Sequence, residues 1–118
     1  MPTVYRILSR ADWEAARTLG EFRGSAHDMR DGFIHFSSGE QVDQTARIHY
    51  ARLPDLVLLY VRTEALPPTA WRWEPSRNGA LFPHLYATLP TAAVHRVEPL
   101  VLDPDGTHRV PELETVGD

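Results

Sequence analysis

The chain contains no Cys and no Lys, and all 12 of its basic residues are Arg. Without Cys there is no thiolate nucleophile, no disulfide framework and no thiolate zinc site. Without Lys there is no Schiff-base amine, no Ser-Lys pair and no phosphate-loop lysine. A coding bias towards Arg explains the missing Lys most simply, and the chemical exclusions hold in either case. Long hydrophobic runs are also lacking: the longest, Leu56 to Val61, is far too short to span a bilayer. The amino terminus has no charged-then-apolar pattern of the signal-peptide type, so a soluble cytoplasmic protein is expected. No large excess of positive charge is present. The net charge of −4 gives no broad basic surface for nucleic acid, although a local Arg patch stays open.

What is present is an ordinary globular composition, 42% hydrophobic and 24% charged over 118 residues, which fits one domain with one core. Residues 3–8 (TVYRIL) read as a strand. Ser9, with Asp12 three residues on, caps a helix from about Arg10 to Leu19 that Gly20 ends. Residues 21–31 are polar without a clear period and read as a loop with room for a short strand, with a turn at Asp31-Gly32. Phe33 to Phe36 (FIHF) is a second strand, with Phe33 and His35 on one side. Ser38 and Gln41 have capping-box spacing before a second amphipathic helix, about Gly39 to Ala51. The run LVLLYVR, Leu56 to Arg62, is the best central buried strand. Trp71 to Glu74 alternates, with both Trp on one face and Arg72 and Glu74 on the other. Pro83 to Ala87 is a short strand or edge segment with Pro83 at its start, and Val94 to Leu102 is the last strand, with an edge or bulge at Pro99. Residues 1–102 form the expected domain and 103–118 a loose, polar, acidic tail. Helices early and strands late predict an α+β fold, two helices packed on a mostly antiparallel split sheet.

The strongest chemical feature is Asp31-Gly32-Phe33-Ile34-His35-Phe36-Ser37-Ser38. A His within an aromatic strand costs free energy unless its nitrogens are paired. Two hydroxyls at a strand end that runs into a helix suit an anion such as a phosphate. The same residues also suit a half-buried, satisfied His followed by an ordinary cap. His84 and Tyr86 share one strand face and present two polar tips together, or else a Tyr packed in the core with its hydroxyl out. Glu74 gains a role if it meets His35 or His84, where a carboxylate orients an imidazole or acts as a base. The six His show no HxH, HxxxH or HExxH spacing, so no metal ligand set is assigned, short of a dispersed site assembled in three dimensions. There is no G-x-S-x-G and no G-x-G-x-x-G.

The string from Tyr5 through FIHFSS to Ala46, followed by DLVLLYV, FPHLY and a closing V-x-x-V-x-x-L, resembles the bacterial family called domain of unknown function 952. The likeness covers about Val4 to Leu102, and its most specific pieces are Asp31 to Ser37 and Phe82 to Tyr86. A more distant likeness is to the ADP-ribosyltransferase-like fold. Tyr5-Arg6, the following helix and Gly20 fall where members have their opening motif, with Arg6 standing where that motif has His. Phe33-Ile34-His35-Phe36-Ser37 is similar to the His-Val-His-Leu-Ser strand of RNA 2′-phosphotransferases. This resemblance implies an NAD cleft between two small sheets, with His35 and Ser37 near a ribose. His35, His84 and Glu74 are then the catalytic candidates, and Arg6, Ser37, Ser38 and Tyr86 the binding ones. No motif assigns a transferase glutamate, and Glu74 is the candidate.

The expected function is the binding of NAD or a phosphorylated nucleotide, with ADP-ribosyl or phosphate transfer as its chemistry. The alternative is a non-catalytic module for a small anion or a peptide, and an interaction domain acting through its acidic tail comes last. The expected partner is a nucleotide or other small anion, not a membrane.

Overall fold

The computed structural model describes residues 3–114. Strand β1 (Thr3–Ser9) runs directly into helix α1 (Arg10–Leu19). Ser9 is the cap, its hydroxyl accepting from the Asp12 amide at 3.0 Å, and Gly20 ends the helix at φ 94°, a conformation that glycine adopts without a Cβ clash. Next come β2 (Glu21–Phe22), α2 (Ala26–Asp31), β3 (Ile34–His35) and α3 (Val42–His49). The second half is almost all strand: β4 (Leu56–Arg62), β5 (Trp71–Pro75), β6 (Leu81–Leu85), β7 (Leu89–Pro90), β8 (Val94–Leu102) and β9 (His108–Arg109). The class is α+β, as expected, with three α-helices where two were expected.

The strands form a four-stranded sheet in the order β1-β4-β8-β9, a three-stranded sheet β3-β6-β5 and the pair β2-β7, antiparallel throughout. β4 is the central strand of the larger sheet, and every residue from Leu56 to Val61 is buried. A continuous apolar run is what a strand covered on both faces requires. Its even and odd positions divide the core. Val57, Leu59 and Val61 join Val4, Leu8, Trp13, Phe22, Ile34, Phe36 and Leu85 on one side. Leu56, Leu58 and Tyr60 join Tyr5, Ile7, Val42, Ala46 and Leu100 on the other. The two larger sheets meet where Tyr5 and Ser37 exchange both backbone hydrogen bonds at 2.8 Å, which curls the strands into a half-barrel.

Four sequence expectations are corrected. Residues 21–31 do hold a short strand, β2, but the rest is not loop: Ser25 and Asp28 form a complete capping box that starts α2, and Gly32 ends it at φ 87°. The α3 helix begins at Val42 rather than Gly39, although one half of the Ser38–Gln41 capping box is present, the Gln41 side chain accepting from the Ser38 amide at 2.9 Å. Pro83 lies within β6, not at its start. It sits beside His84, which pairs with His35, and its carbonyl accepts from Phe36 at 2.9 Å; its missing N–H falls where the chain leaves β3 for Ser37 and β1. The stretch after Leu102 is fixed as far as Glu114. β9 pairs with Val101 and Leu102, Val110 and Leu113 pack on the core, and the Tyr60 and Tyr5 hydroxyls donate to the carbonyls of Glu112 (2.7 Å) and Glu114 (3.0 Å). The remainder of the expected tail, residues 115–118, lies outside the described residues. Pro99 sits where the outer flank of β8 is open, since β9 reaches only Val101 and Leu102.

Candidate functional site: a histidine-lined cavity between two sheets

Period-two alternation places Arg6 on the β1 face shared with Val4 and Leu8, inside the core. A guanidinium that is only 7% exposed needs a counter-charge, and Asp28, 2% exposed, supplies it at 2.8 Å. Arg6 also donates to the carbonyls of Ile7 (3.1 Å) and His35 (2.9 Å) and to the Ser25 hydroxyl (3.3 Å), and it lies 5.3 Å from the Phe22 ring centre.

Asp28 is the hub of this arrangement. Besides Arg6, its carboxylate accepts from the Ser25 amide (2.7 Å), the His35 amide (3.1 Å) and His35 Nδ1 (2.6 Å). Burial works to raise the Asp28 pKa, but the hydrogen bonds from His35 and Arg6 and the Arg6 charge outweigh it and hold the carboxyl well below its ordinary range. Gly24 passes so close to this carboxylate, at φ 109°, that a Cβ on it would stand 3.0 Å from the Asp28 Cβ.

Past Gly32 the chain brings His35 back over α2. Its Nε2 lies 2.9 Å from Asp31 Oδ2, and His27, one helical turn before Asp31, reaches the same oxygen at 3.1 Å. Burial tends to raise the Asp31 pKa, yet the His35 hydrogen bond and the nearby His27, His35 and Arg30 charges lower it. His35 therefore stands between two carboxylates, and both contacts are hydrogen bonds at once only when both ring nitrogens carry a proton.

Strand register sets His84 directly opposite His35, with ring centres 5.5 Å apart. Phe33 stacks on His84 at 4.0 Å. Glu74, on the neighbouring β5, accepts at one oxygen from His84 Nδ1 (3.0 Å) and from the Tyr86 hydroxyl (2.6 Å). The hydrogen bonds from Tyr86 and His84 lower the Glu74 pKa, and the bond to Glu74 raises that of Tyr86. Burial drives the His84 pKa down against the pull of Glu74. His84 is 3% exposed, and among the described residues its Nε2 has no hydrogen-bond partner. With Nδ1 donating to Glu74, Nε2 is a desolvated acceptor.

A cavity of about 300 Å³ lies beside these groups. Arg6, His35, Ser37 and His84 all line it, together with His27, His49, Thr45, Tyr50 and Phe82. Ser37 is buried there and shares a 2.9 Å hydrogen bond with Thr45. Among the other candidates, Ser38 is not in the wall, Glu74 stands behind His84, and Tyr86 opens on a second hollow beyond Phe33. Sequence reasoning gave no role to Asp28 or His27 and read Asp31 only as part of the turn that opens the Asp31–Ser38 segment. The available signal was Ser25-x-x-Asp28 followed by Gly32, a capping box and a helix stop around a single helical turn.

Comparison with known proteins places this geometry in a family. A family model described as Protein of unknown function (DUF952) matches residues 7–97. The crystal structure of protein CC0527 from Caulobacter crescentus is similar at a TM-score of 0.86 and 48% identity, covering 91% of this chain and 93% of that one. The crystal structure of a double mutant of CC0527 gives a TM-score of 0.84 at the same identity and coverage. Its solution NMR structure gives 0.80 at 50% identity, over 91% of each chain. No curated protein matches.

Proposed function

Since the chain belongs to the family described as Protein of unknown function (DUF952), a description that assigns no activity, we propose its function from the cavity itself: it binds NAD or a related phosphorylated nucleotide. One observation carries this reading. His84 is buried at the cavity wall and fixed through Nδ1 by Glu74, and among the described residues its Nε2 has no partner. A buried acceptor left unpaired costs about 1–3 kcal/mol. A ligand hydroxyl or amide N–H placed against it recovers that cost. The cavity is at the lower end of the range for small-molecule sites, about 300–1,000 Å³, so it takes one nucleoside-sized part with the remainder outside. Ser37 and the His27 and His49 imidazoles supply the other polar contacts along the wall. Arg6 acts here through Asp28, because its charge is already matched.

The position of these residues between two small sheets supports an ADP-ribosyltransferase-like reading of the fold. The Glu74–His84 pair favours, as a second reading, ADP-ribosyl or phosphoryl transfer. His84 Nε2 then takes the proton of an acceptor hydroxyl, and Glu74 is a positioning residue that holds the ring. Glu74 itself does not face the cavity, so stabilisation of an oxocarbenium-like sugar does not fall to it.

Thermal melting with NAD, ADP-ribose and AMP tests binding, and labelled NAD tests turnover. The expected result is a rise in Tm with at least one of the three that disappears in H84F. Nicotinamide release in addition supports the second reading. No Tm shift with any of them at millimolar concentration overturns the proposal.

A further inference from the structure

We propose that His27, Asp31 and His35 form a binding site for a divalent transition-metal ion of the zinc class, beside the cavity that His27 and His35 line. One ligand atom from each of the three side chains lies within 4.8 Å of the other two. Asp31 Oδ2 stands 3.1 Å from His27 Nε2 and 2.9 Å from His35 Nε2. Two ligands about 2.1 Å from one ion at a tetrahedral angle are about 3.4 Å apart. Both nitrogen–oxygen pairs therefore need to open by a few tenths of an ångström, and the two imidazole nitrogens, within 4.8 Å of each other, need to settle at the same spacing to admit the ion. The convergence follows from the local fold. His27 and Asp31 are one turn apart on α2, and the stop at Gly32 returns the chain so that His35 covers the same face.

Two further features fit an ion. The first is the support behind His35. Its Nδ1 meets Asp28 at 2.6 Å, and Asp28 is itself held by Arg6 and by the Ser25 amide. A buried carboxylate on the far nitrogen is the arrangement that fixes the tautomer and aims Nε2 at a metal. The second is charge. With neutral imidazoles, Arg6, Asp28 and Asp31 together carry one net negative charge. The exposed Arg30 lies 3.6 Å from Asp31 and 3.3 Å from His27 Nδ1, where solvent screens its charge. An imidazole with Nδ1 protonated points its Nε2 lone pair at the Asp31 oxygen, and a cation between them removes that repulsion. Two imidazoles and a carboxylate suit zinc, cobalt or nickel better than calcium or magnesium. His27 and His35 both line the cavity, so the remaining coordination positions are available to water or to an oxygen of a cavity ligand. The inference needs no nucleotide and stands apart from the function proposed above.

The test uses the full chain, stripped with a chelator and titrated with Co²⁺ by calorimetry and visible absorption, then with Zn²⁺ in competition. The expected result is one ion per chain, with affinity reduced more than about tenfold in H27A and in D31N. The control H95A, at a surface His–Glu pair away from the cavity, binds as the parent does. Both test positions are partly exposed on α2, and an unchanged circular dichroism spectrum confirms that the variants fold. The absence of stoichiometric Co²⁺ binding, equal binding in H27A and D31N, or an equal loss in H95A overturns the proposal. Because no nucleotide is added, none of these outcomes bears on nucleotide binding.

Discussion

Asp28 and His35 meet at 2.6 Å, from carboxylate Oδ1 to ring Nδ1, and the same oxygen accepts the His35 amide at 3.1 Å. One buried carboxylate thus fixes both the backbone and the ring of the residue opposite His84. It does so only because Arg6 holds it from the other side, so strand β1, helix α2 and strand β3 are tied together at a single charged group.

Asn at position 28 keeps the shape of Asp28 and removes its charge. Arg6 is then buried without a counter-ion, and the expected loss of stability is roughly 3–5 kcal/mol by urea unfolding at neutral pH. The pH dependence has a definite sign. The folded pKa of Asp28 lies below its unfolded value, so its stabilisation is complete above the ordinary carboxylate range, near pH 4, and is lost as pH falls towards the folded value. Unfolding midpoints measured from pH 7 downward should fall below about pH 4 in the parent, with a flatter acid limb in D28N.

Replacing His84 with Phe exchanges an unpartnered Nε2 for an apolar ring and gives up the bond to Glu74. The first change favours the fold and the second opposes it, so the net change in stability is expected within about 1–2 kcal/mol. Ligand-induced melting shifts should nevertheless vanish. Denaturation and ligand titration on the same sample separate the two effects.

Tyr86→Phe removes the first of the two hydrogen bonds that hold the Glu74 pKa down. Glu74 should then titrate closer to an ordinary carboxylic acid, while His84 keeps its Nδ1 contact. Carbon-detected NMR titration of the Glu74 carboxyl reads this directly, and an unchanged midpoint would show that Tyr86 does not tune the pair.

Gly24→Ala tests the packing behind Asp28. The position combines φ 109° with a new Cβ 3.0 Å from the Asp28 Cβ, and neither backbone nor neighbour yields without disturbing the hub. A loss of about 1–3 kcal/mol in thermal or urea unfolding is expected.

A chain ending at Leu102 loses the acceptors of the Tyr5 and Tyr60 hydroxyls and the apolar cover of Val110 and Leu113. Its stability should drop by at least about 3 kcal/mol in urea unfolding. A midpoint equal to that of the full chain would show that the segment only decorates the core.

Strong local signals were readable in the sequence. Ser9, Asp12 and Gly20 bound α1, and the unbroken run in β4 marks the strand covered on both faces. The alternation that set Phe33 with His35, and His84 with Tyr86, gave the correct faces of the smaller sheet. What failed was short or long-range. Helix α2 has six residues, too few for a hydrophobic period, and its capping box and the Gly32 stop were its cues. The pairing of Arg6 with Asp28 spans 22 positions and follows from burial, which no spacing rule reports. Asp31, read as half of a turn, became a bridge between two imidazoles because Gly32 returns the chain across α2. The stretch after Leu102 looked loose because it is polar, yet its backbone carbonyls, not its side chains, receive the two tyrosine hydroxyls.

The seam between Tyr5 and Ser37 has one more consequence. The two larger sheets are joined there by main-chain atoms, N–H to carbonyl in both directions, and those atoms are the same whatever side chains stand at the two positions. The span of the cavity is therefore set by backbone, while its lining is set by side chains. A scaffold of this kind can exchange its histidines for other groups and keep the same opening, so relatives sharing the frame are free to differ in what they hold.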